Sequence, residues 1–495
     1  MRDKKIYDES RREFIRRAAC AAVGTVAMTS AISDLRFMNA AVAQSNINDY
    51  KALICIFLQG GNDSNNLIIP TLAEQYTNYA AIRTPVLAIP QSALLGVTSL
   101  DGDGNTYGLH PSCPELQTLF GEGKLAFLFN TGTLVYPLTR TEYLSGSPAA
   151  PPQLFSHADQ QTQWQTSIPD QPPLTGWGGR CADLLASVQP GAPISLMVTL
   201  AGANIFEVGN IVSQYSVSTS GAISLSMPTT PSGGASSNRL PALTNILGLS
   251  YNNLQSQAYA SVAEQAINTS TVLNSAILPT AANTYWTTPF PTKITPPESG
   301  ATAFTSSLSP QLQMVARLIA AGSTPTSQGG FGMKRQIFFC QVGGYDLHTG
   351  QTNYSSGAPT NVLLGSHTNL LAELSQSMYA FQRAMEQLNL SKSVTCFTAS
   401  DFGRTFPSNG QGSDHGWGSH HLILGGAVNG QRTYGSFPVL TLNGPNDTST
   451  GRWIPTTAID QYFATLATWF GVDSSNLATV FPNLSRFAAP NLGFI

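Results

Sequence analysis

Between Phe397 and Gly426 the chain reads FTASDFGRTFPSNGQGSDHGWGSHHLILGG, with two aspartates, three of the chain's seven histidines, seven glycines and neither lysine nor glutamate. An apolar run ends in Asp401. Asp414-His415 follows thirteen residues later, with His420 and His421 close behind. Carboxylate and imidazole at strand-end and loop positions are the ligands of hard-to-borderline divalent ions. The plain alternative is a polar loop whose histidines only hydrogen-bond.

Three stretches share one design. ALICIFLQGGND breaks at Gly60-Gly61 and delivers Asp63; IFFCQVGGYDLH breaks at Gly343-Gly344 and delivers Asp346 and His348; VTCFTASD lacks the glycines but ends in Asp401. Near-continuous apolar strands suit a parallel sheet buried on both faces. Ligands of such sheets sit beyond the carboxyl ends of the strands, so three acids there are expected to converge on one pocket. Glycine before the acid lets the backbone turn sharply and leaves room. An ordinary turn explains one copy; the repetition argues for more.

Leu125 to Phe129 reads as a further core strand, and Phe155-Ser156-His157-Ala158-Asp159 opens a helix-compatible stretch with Ser156 at the N-cap. A hydroxyl there is a candidate nucleophile if a metal lowers its pKa, although most such serines only cap. No G-x-S-x-G elbow is present, which argues against an α/β-hydrolase. Residues 203–306, rich in Ser, Thr, Pro, Gly and Asn, read as a cap or surface insertion. Leu312 to Gly322 and Asn369 to Leu390 have helical apolar periods, the second joining the Asp346 strand to the Asp401 strand as a βαβ unit, and Ala458 to Gly471 makes a last helix.

Ser10-Arg11-Arg12-Glu13-Phe14-Ile15 precedes an uncharged run, and Ala41-Val42-Ala43 is a small-residue cleavage site, so residues 1–43 read as a twin-arginine signal peptide and 44–495 as the mature protein. That predicts a periplasmic or secreted protein with no transmembrane segment in the mature chain. Charged residues are only 10% of the sequence and the formal charge is -3, which excludes an electrostatic footprint for nucleic acid. Cys55, Cys340 and Cys396 sit in apolar runs, whereas spacing leaves a Cys113–Cys181 disulfide open.

With these residues in view, the chain resembles the twin-arginine-exported bacterial family catalogued as domain of unknown function 1501, placed in the alkaline phosphatase/sulfatase superfamily. GGND, SHADQQ, VARLIAAG, GGYDLHTGQ, SDFGRT, SDHGWGSHH and TTAIDQYFATLATWFGV carry the likeness. It implies an alkaline phosphatase-like α/β fold, a mostly parallel central sheet between helices, with two divalent ions (Zn, Mg, Ca or Mn) at its carboxyl edge. Asp63 resembles the first-strand ligand and Ser156 the nucleophile, with His157 beside it. Asp346 and His348 resemble ligands of one ion, and Asp401 the acid that serves the other. Phe402 stands where the superfamily has histidine, so Asp414 with His415, and His420 or His421, are its substitutes. Arg404 is a candidate oxyanion or sulfate clamp, or else a brace for its loop. The expected function is hydrolysis of a small-molecule, lipid or glycan phosphate or sulfate ester by an exported, metal-dependent enzyme. The alternative is a non-catalytic periplasmic or cell-surface binding protein that keeps the fold.

Overall fold

The computed structural model describes residues 47–101, 104–222, 239–250, 253–277, 286–354 and 361–495. The chain divides into two compact units, Met1–Ile47 and Asn48–Ile495, and every described strand and helix belongs to the second. The residues read as a twin-arginine signal and its cleavage site lie outside the described residues.

Ten strands form the central sheet: β1 (Lys51–Leu58), β2 (Leu125–Gly132), β3 (Met197–Thr199), β4 (Tyr215–Ser218), β5 (Gly221–Ala222), β6 (Arg335–Val342), β7 (Val394–Ser400), β8 (Ser419–Gly425), β9 (Arg432–Tyr434) and β10 (Thr457–Ala458). Their order is β9-β2-β8-β7-β1-β6-β3-β4-β5, with β10 alongside β2. β1 lies between β6 and β7 and is parallel to both. β8 is antiparallel to its neighbours β7 and β2, and β5 is antiparallel to β4; the other pairings are parallel. The chain is thus an α/β protein with a mostly parallel central sheet, and the three acid-tipped strands are neighbours within it.

Both faces of β1 are covered, which is why it lacks the polar alternation of a half-exposed strand. Ala52, Ile54, Ile56 and Leu58 join a core with Leu312 and Leu318 of helix Leu308–Ser323 and with Leu371, Leu374, Met378, Phe381 and Met385 of helix Ser366–Gln387. The last five recur at spacings of three and four, one stripe of a helix. Phe57 instead meets Phe339, from which an aromatic chain runs through Phe206 and Trp177 to Phe463 of helix Ile459–Phe470.

Within 203–306, β4 and β5 prolong the main sheet beyond β3, and helices span Arg239–Leu247 and Leu254–Ala276. Cys113 and Cys181 are buried free thiols, so the disulfide that spacing allowed is not formed. No helix of the described residues is long and apolar enough to cross a membrane.

Candidate metal centre

The strand ends meet through backbone as much as through side chains. After β1 the chain turns at Gly60, whose φ is 118° and where a Cβ would stand 2.3 Å from the amide nitrogen of Asp346. Only glycine lets the β1 and β6 ends approach this closely. The Gly60 N–H donates to Asp401 Oδ1 at 3.1 Å, and its carbonyl accepts from Arg404 Nη1 at 3.2 Å. β1 therefore brings a peptide to the site. Asp63, three residues on, is fully buried and accepts from Arg83, Gln351 and Asn65. Its charge is spent on Arg83, a destination that its likeness to Asp346 in the sequence does not reveal.

The helix His157–Thr166 supplies the next groups. His157 and Gln161, one turn apart on one face, both reach Asp401 Oδ2: His157 Nδ1 at 2.6 Å and Gln161 Nε2 at 2.9 Å. With the Nδ1 proton given to Asp401, His157 turns Nε2 toward Asp346 Oδ2, 3.4 Å away. The hydrogen bond to Asp401 raises the His157 pKa from its ordinary value, against the opposing effect of burial. Ser156 occupies the N-cap position but makes no capping bond, and its hydroxyl donates to Asp159 at 2.6 Å.

His348 Nδ1 and Asp414 Oδ1 are 2.9 Å apart, and His415 Nδ1 lies 2.8 Å from the carbonyl of Phe155. A carboxylate and a carbonyl only accept, so both Nδ1 atoms donate, and in its neutral form each ring turns a bare Nε2 the other way. Those two Nε2 atoms face each other at 2.9 Å, each 3.2 Å from Asp346 Oδ1. Two lone pairs and a carboxylate oxygen this close call for a shared cation. Nitrogen ligands at the ~2.0–2.1 Å usual for zinc stand about 3.3 Å apart in a tetrahedron, near the spacings seen here. His157, Asp346 and His415 each offer a ligand atom, all within 4.8 Å of one another, and the donor set fits a divalent ion. Phe402 is the floor on which two of the imidazoles rest, with ring centroids 4.9 Å from His157 and 4.6 Å from His415.

The rest of the expected set lies around this group. Asp414 holds His348 from outside, an orienting carboxylate behind a candidate ligand. Arg404 is buried and committed to Asp346, Gly60 and Ser413, so its fork holds the loops together and the brace describes it better than the clamp. Burial opposes the charge of Asp346, yet the hydrogen bond and charge of Arg404, with His157 and His348, keep its carboxyl below the usual range. His420 accepts the Asn130 N–H on Nδ1 and packs against Phe129, while His421 faces Thr398 and Trp164. Burial pushes both down to about 3, and both belong to the interior of β8. Sequence reasoning missed Gln161, the Gly60 peptide and the Phe155 carbonyl. The i, i+4 spacing of His157 and Gln161 was the one available signal.

Residues 331–478 match the family described as "Protein of unknown function (DUF1501)". The DUF1501 segment contains Asp346, His348, Asp401, Asp414 and His415, whereas His157 and Phe155 precede it. No curated protein matches the chain. Solved structures similar to it include the PsFucS1 sulfatase from Pseudoalteromonas sp., at 10% identity and a TM-score of 0.30, covering 89% of this chain and 72% of that one. Ps i-CgsB in complex with k-i-k-neocarrahexaose is similar at 9% identity and 0.33, covering 90% and 78%. The C-terminal periplasmic domain of EcEptC from Escherichia coli, in complex with Zn, is similar at 10% and 0.26, covering 76% and 73%.

Proposed function

We propose that the chain is an exported, divalent-metal-dependent hydrolase of phosphate or sulfate esters, built around one ion held by His157, Asp346, His348 and His415. The observation that carries this reading is the facing pair of Nε2 atoms beside Asp346, each on a ring whose Nδ1 proton is already committed. A bound divalent ion would supply Lewis acidity toward an ester oxygen. Around it the chain's own groups act as orienters: Asp401, Asp414 and the Phe155 carbonyl fix the three rings, and Arg404 fixes Asp346. The choice of one ion over two is supported by Asp401, which accepts on both oxygens from Gly60, His157 and Gln161, and by Asp63, which is paired with Arg83. Ser156 remains the hydroxyl next to the cluster in the chain; to attack, it would have to leave Asp159 and turn.

The non-catalytic reading draws support from two facts: the Ser156 hydroxyl is engaged elsewhere, and Arg404 is buried with both terminal nitrogens committed to Asp346, Gly60 and Ser413. Metal analysis of the purified protein, joined to a panel of aryl phosphates and sulfates, separates the two. The hydrolase reading expects one ion per chain and turnover that falls at least a hundredfold in Asp346→Asn and His415→Gln. A metal-loaded protein inert toward every ester would leave the binding protein. Export rests on the Arg11-Arg12 pair, and replacing both with lysine is expected to leave precursor in the cytoplasm.

A further inference from the structure

We propose that Arg452 and Phe155 form a clamp that sets the tautomer of His415 and so aims its Nε2 lone pair into the metal centre. The proposal rests on the metal-centre reading for its purpose, but its geometry stands apart from any ion. Three contacts close a ring. Arg452 Nε donates to the His415 carbonyl at 2.7 Å, the His415 Nδ1–H donates to the Phe155 carbonyl at 2.8 Å, and the Arg452 guanidinium lies over the Phe155 ring with its carbon 4.3 Å from the centroid. One cation thus holds the backbone of the histidine and the residue that receives the histidine's proton.

The clamp explains a strained residue. Phe155 has a φ of 73°, a left-handed conformation that bulky side chains avoid. Such a conformation persists only where the surroundings over-determine it, and a planar cation on the ring face is one such constraint. The conformation is useful because the same turn leads directly into His157, so it presents the Phe155 carbonyl to His415 while starting the helix that carries His157 to Asp401. Arg452 itself sits on a stiff turn: Asp447 accepts from the amides of Ser449 and Gly451, the Arg452 carbonyl accepts from the Thr448 amide, and Nη1 donates to Thr450 Oγ1. Without the Phe155 carbonyl in place, neutral His415 is free to carry its proton on Nε2 and would present a donor where a ligand atom is needed.

The test uses the full chain labelled with 15N-histidine, with the His415 resonances assigned by their loss in His415→Gln. In metal-free wild type the clamp predicts a protonated Nδ1 and a bare Nε2. Arg452→Gln and Phe155→Leu should each shift His415 toward the other tautomer and weaken Zn2+ binding about tenfold, measured by chelator competition. Phe155→Tyr keeps the ring and should keep the wild-type tautomer, and the double variant should bind no worse than either single one, because both break one device. An unchanged tautomer in both single variants, or affinity losses that multiply in the double variant, would overturn the clamp. If Arg452→Gln does not fold, Phe155→Leu, which retains the backbone carbonyl, decides alone. A wild type that takes up no Zn2+ refutes the metal centre, and the tautomer measurement still decides the clamp.

Discussion

Asp63 and Asp346 each follow a Gly-Gly pair at the end of an apolar strand, and those strands are neighbours, yet the two carboxylates have opposite fates. Asp63 is buried against Arg83, whereas Asp346 is half exposed among three imidazoles. The difference predicts different losses. Asp63→Asn leaves the Arg83 cation buried without its partner and is expected to cost about 3–5 kcal/mol of stability, with metal stoichiometry unchanged in the folded fraction. Asp346→Asn should remove the metal, and because it also takes the carboxylate from the buried Arg404, a stability loss of up to about 3 kcal/mol is expected alongside. Denaturant unfolding and metal analysis of the two variants read this directly. An Asp63→Asn protein of unaltered stability that no longer bound metal would make Asp63 a ligand after all. The sequence could not separate the two acids, because Arg83 sits twenty residues away in a segment with no motif to pair it with Asp63.

At the scale of elements, the sequence was far more legible. The apolar runs starting at Ala52, Ile337 and Val394 became the adjacent parallel strands Lys51–Leu58, Arg335–Val342 and Val394–Ser400, and the stretch read from Asn369 to Leu390 became the helix Ser366–Gln387 between two of them, because burial on both faces leaves an unbroken apolar signature. What stayed hidden was the direction a side chain takes at an element's end. Ser156 and His157 are neighbours, but the helix starting at His157 sends the imidazole to Asp401 and leaves the hydroxyl with Asp159. Glu207, in the loop after β3, shows the cost of a buried end. It is fully buried, Oε2 accepts from Asn204 at 2.9 Å, and Oε1 has no hydrogen-bond partner. Burial pushes its pKa from 4.5 up to about 8, the Asn204 and Val198 hydrogen bonds only partly opposing it. The folded state therefore keeps a proton that the unfolded chain releases above about 4.5. Stability should be at its full value below that pH and decline as pH rises to about 8, by on the order of 5 kcal/mol. Asp460, raised to about 7 by burial, adds a decline of the same sign. Glu207→Gln should flatten part of the decline and stabilise the protein at pH 8 relative to wild type, measured by urea unfolding at pH 5 and pH 8. Equal slopes in the two proteins would mean that Glu207 is ionised when folded.

For the molecule as a whole, the centre draws on distant parts of the chain: Gly60 after β1, Phe155 and His157 before the DUF1501 segment, and Asp346, His348, Asp401 and His415 within it. No short piece of the sequence contains the site, so the unfolded chain cannot present it and an ion that binds there binds the folded state alone. Mass action then makes the ion a stabiliser of the entire fold. At a free concentration a hundred times Kd the gain is about 2.7 kcal/mol. Unfolding entropy grows with chain length, so in a chain of 495 residues this corresponds to a rise in Tm of roughly 3 °C. Chelator-stripped protein titrated with Zn2+ in a scanning calorimeter should show that rise, growing with the logarithm of free Zn2+, while metal analysis finds one equivalent bound. His415→Gln, which replaces one of the facing nitrogens, should show little of it at the same concentration, although its metal-free Tm should lie near that of wild type because His415 is half buried and packs on Phe402 through its ring face. A wild type whose Tm ignores Zn2+ would mean that the facing imidazoles share a proton instead of an ion, since a proton on either Nε2 also relieves the opposed lone pairs.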